Sequence, residues 1–539
     1  MFTLYCRKNN SIFMLCCKVL NSSMASHWCS SNYLPWPNHG GGIENRREAF
    51  YERKINPKVV SKLAKKWQFV TGHNVTATPS VSSDGVVYFP SSNGFLYAVC
   101  AKTGDAIWQK NLTKLTQSPT TLFSRTTPVI TKDLLLVPIY GPALMLALDR
   151  NTGDIVWSTL LDSHILALLT MSGTVYESSF FVGTSSLEED LGINDPNCCN
   201  FQGSFVKIDL RTGVIKWRTI VLPDNHGNKK LYSGAGIWGS SPPIDVHRKL
   251  VYFATGNLYT VPSDIEQCET NRLKQKNPVV PDPCIKPDDH SESILALDLD
   301  NGTIKWSHHL GAYDTWNVYC LSVKQPNPNC PPIPGPDADF GEAPLLHTIL
   351  DDNVHPGSTQ DVVIAGQKNG IVWALDRDDG HIVWATVAGP GGTAGGAIWG
   401  LATDGQRVYT NIGNNEFKNF TLLPSSKVTN GGGWVAMDAH NGTILWSIAA
   451  PNSSMAYGPV TVANGVVFVT AYGVPYGTLL ALEATSGKIL WQYNASSSLA
   501  GGVSVVNGCV YMGEGVTVVS VTVVPYPSVG GSRVDAFCL

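Results

Sequence analysis

Short runs of alternating apolar and polar residues, broken by a tight turn and closed by a tryptophan, recur along most of this chain. Residues 294–307, "ILALDLDNGTIKWS", give the pattern in full. It returns as "LYAVCAKTGDAIWQ", "MLALDRNTGDIVWS", "FVKIDLRTGVIKWR", "VWALDRDDGHIVWA", "WVAMDAHNGTILWS" and "LLALEATSGKILWQ", which makes seven copies. Alternation with period two predicts strands, and the Gly-containing turn between them predicts a hairpin in which Gly takes positive φ. The copies end on Trp108, Trp157, Trp217, Trp306, Trp384, Trp446 and Trp491. Their spacing, roughly 45 to 90 residues, suits one propeller blade plus insertions.

Two further short strands precede most copies, as in "TATPSVSSDG" and "VVYFPSSNG" before the first, so each unit is a four-stranded antiparallel meander. With the strands lettered A to D from the axis outward, the repeat covers C and D. A single blade cannot bury both faces, so the blades must stack around a channel, with the strand-D indoles filling the contacts between them. The C-terminal "SVGGSRVDAFCL" resembles a C strand with no D strand after it, and "KLAKKWQFV" near the start resembles a D strand without its blade. Joining Trp67 to the C-terminus closes a ring of eight and removes two open edges. The expected fold is all-β: an eight-bladed β-propeller over 31–539, its last blade closed by an N-terminal strand.

Composition narrows the function classes. A repeat architecture makes the 539 residues one large domain. A formal net charge of -4 and the lack of a long basic run give no sign of nucleic-acid binding, and no long uncharged apolar stretch predicts a membrane span. Residues 1–30 have the basic start, apolar patch and small residues of a targeting segment, with Lys18 interrupting the patch. Sequons at Asn74, Asn111, Asn301, Asn419, Asn441, Asn452 and Asn494, with 13 cysteines, point toward secretion. Cys268 with Cys284 and Cys320 with Cys330 flank Pro-rich insertions and are placed to staple them. The adjacent Cys198 and Cys199 allow a vicinal disulfide or two separate thiols.

The residues that break the repeat are not scattered. Arg125, Thr170, Trp238, Asp339 and Trp399 stand just before predicted A strands, whereas Glu188, Asn257 and Lys368 stand just after B strands. The start of A and the end of B share one end of a blade, near the axis, so these residues should meet at one mouth of the channel. Cations, carboxylates, an amide and indoles there suit a flat, anionic, carbonyl-bearing molecule, and the oxygen donors suit Ca²⁺. Each also has a purely structural reading as an inter-blade aromatic, a salt bridge or a turn residue.

At these residues the chain resembles the quinoprotein alcohol dehydrogenases, most closely their polyvinyl-alcohol dehydrogenase-like branch. The similarity runs from "NHGGGIENRREAF" to the C-terminus, and "SSLEE", "CCNFQGS", "IWGSSPPID" and "PDADFGEAP" are its most specific pieces. It implies pyrroloquinoline quinone and Ca²⁺ on the axis, an alcohol substrate, small or polymeric, and an external electron acceptor. By that resemblance Glu188 and Asn257 match the metal ligands, with Glu189 competing for the place of Glu188. Asp339 matches the catalytic base, also near the metal, with Asp314 as its rival. Trp238 matches the indole under the quinone, Arg125, Thr170 and Ser185 the contacts to its carboxylates, and Lys368 the cation beside its reactive carbonyls; Trp399, Cys198 and Cys199 complete the expected cofactor surroundings. In many family members the paired cysteines precede the arginine at the Arg125 position, whereas here they follow Glu188. A propeller that binds polymers or proteins without catalysis is the competing expectation.

Overall fold

In the computed structural model the alternating segments pair into eight four-stranded antiparallel sheets, arranged as a propeller. The structure describes residues 29, 33–191, 197–275, 282–321, 329–350, 357–473, 475–516 and 530–539, so nearly all of the targeting expectation for 1–30 falls outside the described residues. Blades one to seven span 80–111, 129–160, 174–220, 244–309, 345–387, 402–449 and 461–494. The eighth combines Val503–Val506, Cys509–Gly513 and Arg533–Cys538 with the N-terminal strand Ala64–Val70. Trp67 pairs with Ala536 and Val70 with Arg533, which is the predicted closure of the ring.

One contact explains why the repeat is written as it is. The Trp67 Nε1–H donates to the Ala101 carbonyl of blade one, Trp217 to Leu299, Trp306 to Arg377 and Trp446 to Ala484. Trp108, Trp157, Trp384 and Trp491 make the same bond to the following blade, the last on Leu63 just ahead of the closing strand. The turn glycine lies against this indole. At Gly302, with φ +74°, an added Cβ would fall 2.7 Å from Cδ2 and Cε3 of Trp217, so the position needs both the left-handed backbone and the missing side chain. Opposite each indole in strand C stands an alanine, except that Trp217 faces Lys207. A larger apolar group there would occupy the indole's space.

The eleven-residue helix Ser263–Leu273 lies in the insertion of blade four and is stapled by Cys268–Cys284. Cys320–Cys330 closes the next insertion. Both expected staples are thus formed, together with Cys198–Cys199, Cys29–Cys100 and Cys509–Cys538. Among the described residues no helix is long and apolar enough to cross a membrane.

Candidate functional site at the channel mouth

Two adjoining lobes of about 220 Å³ and 150 Å³ open around the axis. Arg125, Thr170, Trp238, Lys368 and Trp399 line both, while Ser185 and Asp339 line the smaller. Seven of the predicted site residues therefore meet in one cavity. The propeller brings them there because each sits at the A-start or B-end of its blade, and those ends converge on the axis.

Asp339 is the most connected of them. Its Oδ1 accepts the Asn257 N–H at 2.6 Å, and its Oδ2 accepts from Lys368 Nζ at 2.9 Å and Trp238 Nε1 at 3.2 Å. Lys368 also donates to Asp337 Oδ1 at 2.7 Å and lies 5.4 Å from the Trp238 ring centroid. Burial opposes the charge on Lys368, but Asp337, Asp339 and Glu189 outweigh it and hold the ammonium well above the usual lysine range. Asp337 and Glu189 are both pushed well above the carboxylate range, first by burial and then by the neighbouring carboxylates. Two indoles shape the wall: Trp238 and Trp399 meet edge to face with centroids 5.2 Å apart, and the Arg125 guanidinium lies 5.2 Å from the Trp399 centroid.

Five of the expected residues lie outside the lining of both lobes. Glu188 turns away from the cavity. Its carboxylate accepts the N–H groups of Asn200 at 3.0 Å and Phe201 at 2.8 Å and stands 3.4 Å from His164 Nε2, so it clamps the loop at residues 200–201. Glu189, its neighbour in the short helix Glu188–Leu191, lines both lobes instead. Successive helical residues point about 100° apart, so with Glu189 and Asp190 both toward the cavity Glu188 is turned onto the loop behind. Cys198 and Cys199 are buried behind Glu188 in the core between blades, with Cys198 Sγ 3.7 Å from the Glu188 carbonyl, and neither lines the cavity.

Asp314 also lies outside the lining. Its carboxylate accepts from the Asp337 and Ala338 N–H groups at 3.2 Å and 2.5 Å, which fixes the loop carrying Asp337 and Asp339. Burial, opposed by the Ala338 N–H, raises its pKa to about 6. Asn257 stands behind Asp339, its side-chain NH₂ donating to the carbonyls of Leu258 at 3.1 Å and Trp316 at 2.9 Å. The amide oxygen is thereby left as the atom it can present.

Residues the sequence reading passed over complete the cavity. Asp337 and Asp190 add carboxylates, and His39 comes from the N-terminal segment. The Asp-x-Asp spacing at 337–339 was the available signal for the first; nothing local marks His39. Thr170 Oγ1 and Glu189 Oε1 are buried with no hydrogen-bond partner, an arrangement that leaves the cavity short of polar contacts. An acid-rich set with an orphan hydroxyl, two cations and a flat indole wall fits a hard cation together with a planar, anionic organic group.

Comparison with known proteins gives the family and the fold. The family model PQQ_2, described as outer membrane protein assembly factor BamB, matches residues 59–309 and 368–523. The chain is similar to a polyvinylalcohol dehydrogenase of Pseudomonas sp., 28% identical over 86% of this chain and 68% of that protein. It is similar to another from Sphingopyxis sp. at 26% identity, over 81% of this chain but 64% of that longer relative. A crystal structure of quinohemoprotein alcohol dehydrogenase from Comamonas testosteroni shares the fold with TM-score 0.63 and 18% identity, covering 96% of this chain and 82% of the other. The chain belongs to the PQQ_2 family, and the curated relatives it is similar to are alcohol dehydrogenases.

Proposed function

We infer that this chain oxidises an alcohol, small or polymeric, to a carbonyl with pyrroloquinoline quinone and Ca²⁺ held in the channel cavity, and passes the electrons to an external acceptor. The observation that carries the reading is the Asp339 carboxylate, held at the cavity wall by the Lys368 ammonium, the Trp238 indole N–H and the Asn257 backbone N–H. Trp238 offers the flat face for the quinone, while Arg125, Thr170 and Ser185 are disposed for its carboxylates. Glu189, Asp337, Asp339 and the Asn257 amide oxygen would hold the metal. Glu189 and Asp337 cannot ionise together cheaply in so buried a place, and a divalent cation removes that cost.

When bound, the quinone supplies a two-electron acceptor and the metal a Lewis acid. The protein's own part is proton handling and orientation. The Asp339 carboxylate, which lines the smaller lobe and is held by Lys368, can take the alcohol proton. The indoles of Trp238 and Trp399 keep water off one side of that site. Five disulfides among the described residues, and sequons at Asn301 and Asn441 on exposed turns, support a secreted glycoprotein.

The test is reconstitution of the purified chain with quinone and Ca²⁺, followed by absorption of the bound quinone and alcohol-dependent dye reduction. Binding with turnover supports the assignment. Failure to bind either component, with no oxidation of primary, secondary or polymeric alcohols, rejects it.

A further inference from the structure

Residues 36–49 form a strap bonded in turn to six of the blades. Trp36 exchanges backbone hydrogen bonds with Val81 of blade one at 2.8 Å and 2.9 Å, and the Pro37 carbonyl accepts from Ile130 of blade two at 2.8 Å. Farther along, Ile43, Glu44, Arg46 and Arg47 offer their carbonyls to blades four, five, six and seven at 2.8, 3.0, 3.1 and 3.0 Å. The Gly-Gly-Gly run allows this path: Gly41, with φ +78°, lies against the Trp36 ring, where an added Cβ would sit 3.1 Å away.

The strap sends two side chains upward. His39 lines the larger lobe, and its Nε2 is 2.9 Å from the Trp399 carbonyl. Arg47 is fully buried and donates to the carbonyls of His39 and Val460 and to Thr461 Oγ1. Both reach the same corner, since a Cβ on Gly400 would lie 3.0 Å from Arg47 Cδ and 3.2 Å from His39 Nε2.

That corner is strained. Trp399 has φ +73°, a left-handed conformation that costs a bulky residue roughly 1–3 kcal/mol and persists only where the surroundings fix it. Here they do. The Trp399 N–H donates to Gly341 O at 2.9 Å, and the Gly400 carbonyl accepts from Val460 N at 2.9 Å. The Trp399 carbonyl is held by His39. A carbonyl only accepts, so His39 must carry its proton on Nε2.

We propose that His39 is a positioning residue of the site: its bond to the Trp399 carbonyl locks the left-handed corner and so aims the Trp399 indole across the cavity at Trp238 and beneath Arg125. The strap then sets part of the cavity wall, and a change in it is felt in ligand binding without any strap side chain taking part in the chemistry. Its effect on quinone binding rests on the function proposed above; its effect on Trp399 does not.

The test uses the full chain labelled with 5-fluorotryptophan, the Trp399 resonance being assigned with Trp399→Phe. His39→Leu should shift or broaden that resonance and weaken quinone retention at least about tenfold, whereas His39→Gln, which can return an amide donor to the Nε2 position, should restore both. An unmoved Trp399 resonance in His39→Leu overturns the proposal, and so does a His39→Gln variant that behaves like His39→Leu. Should His39→Leu not fold, long-range ¹H–¹⁵N correlation on the unaltered protein decides: an Nε2–H tautomer at His39 supports the bond and an Nδ1–H tautomer overturns it. A chain that never retains quinone sinks the catalytic reading while the Trp399 resonance still decides this one.

Discussion

The ring of tryptophan docks and the channel it encloses are built from the same blades by opposite rules. In the ring, eight indole N–H groups each end on a carbonyl of the next blade, and the turn glycines leave room for the rings. The channel cavity instead gathers Glu189, Asp190, Asp337 and Asp339 around Lys368 and Arg125, with a buried hydroxyl and a carboxylate oxygen left without partners. A satisfied interface repeated eight times supplies stability, and a concentrated, under-satisfied cluster spends some of it. The difference marks where the molecule was shaped for a ligand rather than for its own folding.

The largest expected effect falls on the channel side. Asp339→Asn keeps the shape and the Asn257 N–H bond but cannot take a proton, so turnover of the reconstituted protein should drop by roughly 10²-fold to 10⁴-fold with quinone still bound. Quantifying bound quinone by absorption separates this from lost cofactor. Asp314→Asn should leave turnover much closer to that of the parent, because Asp314 serves the backbone of the 337–338 loop. A loss as large at Asp314 would move the base to that residue.

The adjacent glutamates sharpen the comparison within a single turn of chain. Glu189→Gln removes a cavity carboxylate and should weaken Ca²⁺ binding about tenfold or more by calorimetry. Glu188→Gln should change metal binding little and lower the thermal midpoint instead, since that carboxylate accepts two N–H groups of the loop at 200–201. Equal calorimetric effects would contradict the placement of Glu189.

On the ring side, Gly302→Ala adds a methyl that meets Trp217 at 2.7 Å on a left-handed backbone. Left-handed strain and overpacking together should cost about 2–4 kcal/mol. Gly405 has φ +86° with nothing within 4 Å of an added Cβ, so Gly405→Ala should carry the backbone strain alone, about 1 kcal/mol. Indistinguishable denaturation midpoints for the two variants would mean that the glycine serves the turn and not the dock.

How much of this was legible follows the same division. The ring was readable because its chemistry is local and repeated: alternation, a turn glycine and a tryptophan recur at fixed offsets, and the unmatched halves "KLAKKWQFV" and "SVGGSRVDAFCL" demand each other. Blade geometry then carried Arg125, Thr170, Trp238, Asp339, Lys368 and Trp399 to the cavity, and the family resemblance added Ser185. What failed was orientation within a pair. Nothing in "SSLEED" shows which glutamate faces the axis, because the phase of a four-residue helix is set by the loop it packs on. The cysteine pair was misplaced for a related reason, as its partner is that same loop and not the channel. His39 and Arg47 were invisible because the strap has no repeat, and its partners lie hundreds of residues away in sequence.

The smallest effect, taken per unit of pH, tests the channel wall at Glu342. Glu342 is fully buried, and burial, opposed in part by the Arg47 charge, raises its pKa to about 8. Arg47 is itself lowered to about 9 by burial, so it stays protonated below pH 8 and adds no slope there. The folded state therefore binds a proton on Glu342 that the unfolded chain has released. Stability from this group is complete below the ordinary glutamate range and drains away as pH rises toward 8. Glu342→Gln cannot titrate, so the thermal midpoint should fall less steeply between pH 5 and pH 8 than in the parent. The change in slope should be about 1 °C to 2 °C for each pH unit, given how little one kcal/mol shifts a chain of this size. Parallel curves for parent and variant would show that Glu342 is ionised in the fold, paired with Arg47 in the channel.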